Sequence, residues 1–325
     1  MESSDLKMSL EAQVIAMSYV GLMLLLPVIL WTISGRALLS VLAALCGTFS
    51  YIYWGTFFCG IIARAARRLD ERFQSTAFRR AATWITLSMI RVYGKIVHGY
   101  EIHGKENLPK NTGGLLVYHH ALIPLDVVYL SADQYFENNR ILGGIISRAN
   151  YAFMRSLCEI LEFFTERDRL VDDLKKGHIR SLSPGGQIEA TYSQNYELIW
   201  SGRVGFAKVA KECGVPVIPM FMVNSEQAMP VKTYGFRERL WRASKPIKKL
   251  IHIPLICFPV KLRIFIGEPL LCGKDETPES FAERVKAAIN RLRDEHQRRP
   301  GSIPIAFLER FGYEPFRREA KKNSL

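Results

Sequence analysis

The sequence predicts an α/β domain, a sheet covered by helices on its faces, preceded by an N-terminal transmembrane helical hairpin. Two observations lead to this prediction. After about residue 99, short apolar runs typical of strands alternate with longer helical stretches. Before that point, residues 12–63 carry a single charged side chain, Arg36. The chain has 325 residues and is 48% hydrophobic, which is high for a purely soluble protein.

Residues 1–62 are predicted to form the membrane hairpin, with helices at about 13–34 and 37–62. Two uncharged runs of 24 and 27 residues, Ala12–Gly35 and Ala37–Ala63, are separated by a single arginine. At about 1.5 Å rise per residue, each run can cross the roughly 30 Å hydrocarbon layer with some tilt. A cleaved signal peptide is disfavoured because acidic residues precede a run that is too long for an h-region. A hairpin that re-enters without spanning is the alternative.

Basic residues follow the second run directly and place this flank in the cytosol by the positive-inside rule. Residues 63–98 mix basic and apolar side chains and are predicted to form interfacial helices in the headgroup region. An amphipathic helix packed on the domain is the other interpretation.

The net charge of +13 favours anionic lipids or a phosphorylated ligand such as coenzyme A as partners. Nucleic acid is disfavoured, since no zinc-finger spacing, RNP-like motif or basic heptad is present.

Residues 99–325 are predicted to form the α/β domain and to end with a C-terminal helix. The strand-like runs are 100–103, 115–118, 217–222 and 260–266, and the helical stretches are 126–136, 171–176 and 203–213. In the last helix, Thr277 is placed to cap and Pro278 suits the first turn, with the end before Pro300. Its predicted apolar face consists of Phe281, Val285, Ala288 and Leu292.

The motif with the clearest chemistry follows the apolar run 115–117. It reads Tyr-His-His-Ala-Leu-Ile-Pro-Leu-Asp and contains His120 and Asp126. Neutral imidazole accepts a proton efficiently near neutral pH, and a nearby carboxylate fixes its tautomer. Six residues on a regular helix would put the two side chains on different faces. We therefore expect His120 in the loop before the helix and Asp126 in its first turn; a structural His–Asp cap is the alternative.

A Ser-Pro-Gly-Gly turn lies further along the chain and includes Gly185 and Gly186. Glycines expose backbone N–H groups without side-chain obstruction, so this turn could hold a phosphate or an oxyanion. A plain tight turn is the alternative.

The six cysteines are scattered with no CxxC, which indicates reduced thiols and no metal site.

The order of these motifs resembles the four blocks of the glycerolipid acyltransferase superfamily. The blocks correspond to the His120–Asp126 motif, Phe164–Arg167, Ser183–Glu189 and Val215–Pro219. A closer resemblance, over nearly the whole chain, is to the transmembrane protein 68 branch of that superfamily. It extends to the stretches beginning at Arg203, Pro259 and Pro300 and to Leu308–Phe311. This resemblance implies a mixed sheet flanked by helices and an endoplasmic-reticulum membrane protein, its catalytic domain facing the cytosol, that makes di- or triacylglycerol.

By the same resemblance, His120 is the general base and Asp126 its orienting partner. The implied substrate-binding residues are Arg167, Gly185, Gly186, Glu189 and Arg203. The acyl donor would be acyl-CoA or a membrane lipid ester such as a phospholipid, with no other cofactor. Oligomeric state stays open.

The sequence departs from the wider superfamily pattern in two respects. Most members have a four-residue gap between His and Asp, and they carry Glu and Arg at the positions of Gly185 and Ile188. Because arginines in these blocks hold an acceptor phosphate, the loss of one favours an uncharged mono- or diacylglycerol. A lysophospholipid or glycerol-phosphate acyltransferase is the first alternative, and a non-catalytic membrane lipid-binding protein is the second.

Overall fold

The computed structural model describes residues 76–110, 112–148, 151, 155–230 and 257–313. Its helices, in chain order, are α1 Thr76–Tyr93, α2 Leu125–Asn138, α3 Arg155–Ile160, α4 Arg167–Lys175, α5 Gly186–Tyr192, α6 Gly205–Cys213, α7 Ser225–Ala228, α8 Pro278–His296 and α9 Ile303–Leu308. Its strands are β1 Glu101–His103, β2 Gly114–Tyr118, β3 Ile179–Leu182, β4 Val217–Val223 and β5 Arg263–Ile266. A π-helical turn, Gly94–His98, joins α1 to β1.

The five strands form one mixed sheet in the order β1-β5-β4-β2-β3. Strand β2 is parallel to both β3 and β4, β4 is antiparallel to β5, and β1 is parallel to β5. The carboxyl ends of β2, β3 and β4 therefore share one edge of the sheet with the amino ends of β1 and β5. We call this the upper edge.

Both faces of the sheet are buried, which is why β2 is apolar at every position. Alternate residues of a strand point to opposite faces. Leu116 and Tyr118 pack in one cluster with α2, whereas Leu115 and Val117 pack in a second cluster with α4, α6 and α8. The mixed α/β fold class is confirmed, with helices on both faces of a five-stranded sheet.

The four predicted strands are present, and the last is shorter than predicted. It begins at Arg263 because the preceding backbone is bonded elsewhere: Lys261 N–H donates to the Ala306 carbonyl (2.8 Å) and Leu262 N–H to the His98 carbonyl (3.3 Å). Strand β3 was predicted only by its beginning, at His178, and it begins one residue later, at Ile179. Its Arg180 is buried and paired with Asp173 at 2.8 Å, so a charged residue interrupts the apolar pattern of a core strand.

The C-terminal helix matches its prediction closely. Thr277 caps α8 by accepting a hydrogen bond from the Ser280 N–H at 3.2 Å, and Pro278 is the first helical residue. Of the predicted apolar face, Phe281 and Val285 are fully buried, together with the unpredicted Ile289.

Helix α1 covers most of the segment that was predicted to lie in the headgroup region. Its Leu87 and Ile90 are buried in the core cluster, and Trp84 packs edge-on against Phe136 of α2 with ring centroids 6.3 Å apart. The helix is thus an integral part of the domain. The predicted hairpin at residues 1–62 lies outside the described residues, and no helix among the described ones is long and apolar enough to span a bilayer.

Candidate active site

The candidate site lies at the upper edge of the sheet, where β2 and β3 end. In parallel sheets this edge gathers loops that follow neighbouring strands, so residues distant in sequence meet there. The loop after β2 carries His120, and the turn after β3 leads into α5, which carries Glu189. The distance in sequence between these two residues is 69 positions.

His120 lies in the loop between β2 and α2, as predicted. Its Nδ1 is 2.6 Å from the carbonyl oxygen of the next residue, Ala121. A carbonyl only accepts hydrogen bonds, so we assign the proton to Nδ1 and the lone pair to Nε2 from this contact. That tautomer is the one that can accept a proton from a bound hydroxyl.

Glu189 fixes the backbone on which His120 is mounted. Its carboxylate is fully buried, and Oε1 accepts from the His120 backbone N–H at 2.7 Å. The other oxygen, Oε2, accepts from the Ile199 N–H at 2.7 Å, and the Ser183 hydroxyl donates to Oε1 at 3.3 Å. Burial is the largest influence and raises the pKa of Glu189 to about 7, against the lowering effect of these donors. The Glu189 carboxylate therefore connects three segments: the loop of His120, the chain at Ile199 and the turn at Ser183.

The two glycines of the turn are required for different reasons. Gly186 has φ of +54°, a left-handed conformation that favours glycine. Gly185 has an ordinary helical backbone, but a Cβ there would lie 2.5 Å from Cβ, Cδ and Oε2 of Glu189. The carboxylate of Glu189 therefore fills the space that a side chain at position 185 would occupy. Arg203 holds the same turn, since its Nη1 donates to the carbonyls of Pro184 (2.9 Å) and Gly185 (2.8 Å).

Asp126 lies in the first turn of α2, as predicted, and is buried. Its Oδ1 accepts from the Val127 N–H at 2.8 Å, yet burial raises its pKa to about 7. Burial raises the pKa of Tyr118, and the charges of Asp126 and Glu189 raise it further. The ring centroid of Tyr118 is 6.3 Å from that of His120. A backbone oxygen contacts Nδ1 of His120, and orientation of the imidazole by Asp126 stays a prediction.

The raised pKa of Asp126 predicts a pH-dependent contribution to stability. The folded state binds this proton more tightly, so the stabilisation is complete below about pH 4 and is lost as pH rises through about 7. A shift from 3.8 to about 7 corresponds to roughly 4 kcal/mol. Thermal unfolding of the purified chain between pH 5 and 8 should therefore show a smaller loss of stability in Asp126→Asn than in wild type. An identical pH slope in the two proteins would contradict the assignment.

Arg167 and His119 make their contacts with other parts of the protein. Arg167 begins α4, is largely exposed, and forms an ion pair with Glu212 at 2.5 Å; its role as a substrate contact stays a prediction. His119 points into the core, where its Nε2 is 3.0 Å from the Ser193 hydroxyl and burial lowers its pKa to about 3. It is neutral at physiological pH and is part of the packing.

Sequence reasoning missed Tyr118, Ser183 and the Ala121 carbonyl as parts of the site. Ser183 is the first residue of the Ser-Pro-Gly-Gly turn, so that motif could have identified it as part of the site. Tyr118 ends a buried strand, and its orientation towards Asp126 depends on the strand register, which no local pattern shows.

Comparison with known proteins defines the class. A family model described as Acyltransferase matches residues 99–223, which contain His120, Asp126, the glycine turn and Glu189. The chain is 35% identical over 228 residues to the human protein named "DGAT1/2-independent enzyme synthesizing storage lipids", covering 67% of this chain and 68% of that protein. The mouse protein of the same name is 35% identical over 231 residues, covering 68% of each. A solved structure, the 1-acyl-sn-glycerophosphate (LPA) acyltransferase PlsC from Thermotoga maritima, superposes with a TM-score of 0.47 at 16% identity, covering 84% of this chain and 97% of that one.

The protein is therefore an acyltransferase. Within that class, it belongs to the transmembrane protein 68 family, the family of the DGAT1/2-independent enzymes synthesizing storage lipids.

Proposed function

We propose that the protein transfers a fatty acyl chain to the hydroxyl of a neutral glycerolipid, a mono- or diacylglycerol, with His120 as general base. The observation that carries this proposal is the Nδ1 contact to the Ala121 carbonyl, which leaves the lone pair of the imidazole on Nε2. The relatives are named for synthesizing storage lipids, and this supports the acceptor class.

In the proposed reaction, Nε2 of His120 takes the proton of the acceptor hydroxyl as its oxygen attacks the acyl carbonyl. The tetrahedral intermediate collapses, the bond from the carbonyl carbon to the leaving group breaks, and the imidazolium returns its proton to that group. With a thioester donor the leaving group is a thiolate. No acyl-enzyme forms. The Ala121 carbonyl supports the imidazolium because its oxygen faces the Nδ1–H in both protonation states.

Glu189 acts in this proposal as a positioning residue. It holds the backbone N–H of His120, so it fixes the place from which the imidazole projects. Asp126 is proposed to favour the positive charge that develops on His120 during the reaction. Gly185 and Gly186 are proposed to present backbone N–H groups to the acyl oxygen as negative charge develops.

The proposed acceptor is uncharged because the two candidate phosphate-binding arginines are engaged with protein groups. Arg167 is paired with Glu212, and Arg203 donates to the turn carbonyls. At position 188, where the wider superfamily carries Arg, this chain has a partly exposed Ile188. A site for a phosphorylated acceptor needs a cation that is available to the phosphate.

An acceptor panel tests this proposal. The purified full chain in phosphatidylcholine vesicles would be assayed with monoacylglycerol, diacylglycerol, a lysophospholipid and glycerol phosphate, each with acyl-CoA supplied or withheld. We expect about tenfold or greater preference for the neutral acceptors, because they leave no buried charge unpaired. Preference for a phosphorylated acceptor would overturn the proposed specificity. Product formed without acyl-CoA would identify a membrane ester as the donor.

The proposed location is the endoplasmic-reticulum membrane, with the α/β domain on the cytosolic side. The basic residues that follow the uncharged N-terminal runs support this orientation. In that position the site would receive acyl chains and acceptor from the same bilayer.

A further inference from the structure

Large apolar side chains that are exposed to solvent are concentrated at the upper edge of the sheet. Among the described residues, eight such side chains are exposed: Ile96, Ile188, Tyr192, Leu271, Phe307, Leu308, Phe311 and Tyr313. Leu271 follows the carboxyl end of β5 and so lies towards the opposite edge. The other seven form two groups, both placed by the topology at the edge that carries His120.

The first group, which we call the foot, consists of Ile96, Phe307, Leu308, Phe311 and Tyr313. Arg310 joins its two segments, since Nη2 donates to the Ile96 carbonyl (2.5 Å) and Nη1 to the Pro259 carbonyl (3.4 Å). The rings of Phe307 and Phe311 meet edge-on at 5.3 Å. Ile96 precedes the amino end of β1, so the foot adjoins the upper edge on the β1–β5 side.

The second group is Ile188 and Tyr192 on α5, four residues apart and therefore on the same side of the helix. Glu189 points from the same helix into the protein and holds His120. Helix α5 follows β3, at the other side of the sheet from the foot. Strands β1 and β3 are four strand spacings of about 4.8 Å apart, roughly 19 Å, and the loop of His120 follows β2, which lies between them in the sheet.

We propose that this edge, the foot together with Ile188 and Tyr192, docks on a phospholipid bilayer that contains anionic lipid. Solvent-exposed apolar side chains at two points on either side of one site fit a planar apolar partner. Charge favours the same partner through long-range attraction. Arg203 and Arg310 both donate to backbone carbonyls, which are neutral, so each keeps its positive charge at this edge although its donors are engaged.

The proposal deepens the proposed function, on which it rests for the lipid nature of the substrates. Docked in this way, His120 would face the bilayer surface, and a hydroxyl at the headgroup level would reach Nε2 without leaving the membrane. The docking itself needs no turnover, so it can be tested separately from catalysis.

The test places the photoreactive residue p-benzoylphenylalanine at position 311, 192 or 271 of the full chain carrying His120→Ala. Each protein is reconstituted in vesicles of equimolar phosphatidylcholine and phosphatidylserine, irradiated, and analysed by mass spectrometry for lipid adducts. Leu271 is the matched control, since it is also apolar and 61% exposed. We expect about tenfold more lipid adduct at positions 311 and 192 than at 271, because only they would enter the acyl-chain boundary.

Equal lipid adducts at all three positions would overturn the proposal. Adducts at 311 and 192 to the protein itself, either to another segment of this chain or to a second copy, would also overturn it. Because His120→Ala is already inactive in the proposed mechanism, a failure of docking cannot be confused with a failure of the chemistry. As a second measurement, Phe311→Ser in the otherwise wild-type chain should reduce transfer to a vesicle-borne acceptor and leave transfer to a short-chain soluble acceptor unchanged.

Discussion

Replacing His120 with alanine is expected to reduce acyl transfer by about 10³-fold while the protein stays folded, since a positioned general base contributes roughly this factor. The imidazole is half-buried in a loop, and the bond from Glu189 is made to the backbone N–H, which alanine retains. The measurement is transfer of a labelled acyl chain to diacylglycerol by the purified full chain in vesicles. Thermal unfolding of the same preparation reports on folding.

The matched control is His178→Ala. His178 is exposed, and its carbonyl, which alanine retains, accepts the Gly114 N–H at 3.3 Å. Its replacement should leave activity and unfolding temperature near wild type. Full activity in His120→Ala would exclude this residue as the base, whereas loss of activity together with loss of folding would show that the loop is held by the imidazole itself.

Adding a single methyl group at Gly185 is expected to reduce activity about 100-fold. The Cβ of Gly185→Ala would lie 2.5 Å from the Glu189 carboxylate, which must then move. Moving it breaks the hydrogen bonds to the N–H groups of His120 and Ile199. Misplacing a catalytic group by about 1 Å can cost roughly 10²-fold in rate. The measurement is kcat and KM in the vesicle assay, with the loss expected in kcat.

Gly205→Ala is the matched control for this substitution. Gly205 begins α6, and a Cβ there would meet no atom within 4 Å, so the same chemical change should have little effect. A fully active Gly185→Ala enzyme would show that the Glu189 carboxylate does not position His120.

The sequence predicted correctly the features that depend on residues close together in the chain. The cap of α8 is formed by Thr277, Pro278 and the following turn, and all of these residues are adjacent in the chain. The position of His120 before a helix that carries Asp126 in its first turn also follows from local spacing, and the structure agrees. The extent of strand β3 beyond its expected start at His178 was not predicted, because the buried Arg180 is neutralised by Asp173 and Glu162, partners that lie outside the strand.

By itself, the sequence determined the α/β class and the loop that carries His120. These depend on hydrophobic periodicity and short-range turn chemistry, which are written in consecutive residues. Only the tertiary structure decided that Glu189 is buried beneath His120, that Gly185 leaves room for its carboxylate, and that apolar side chains from α5 and the chain after α8 lie at one edge. These relations depend on strand order and register, which are set by long-range packing between segments that are far apart in the chain.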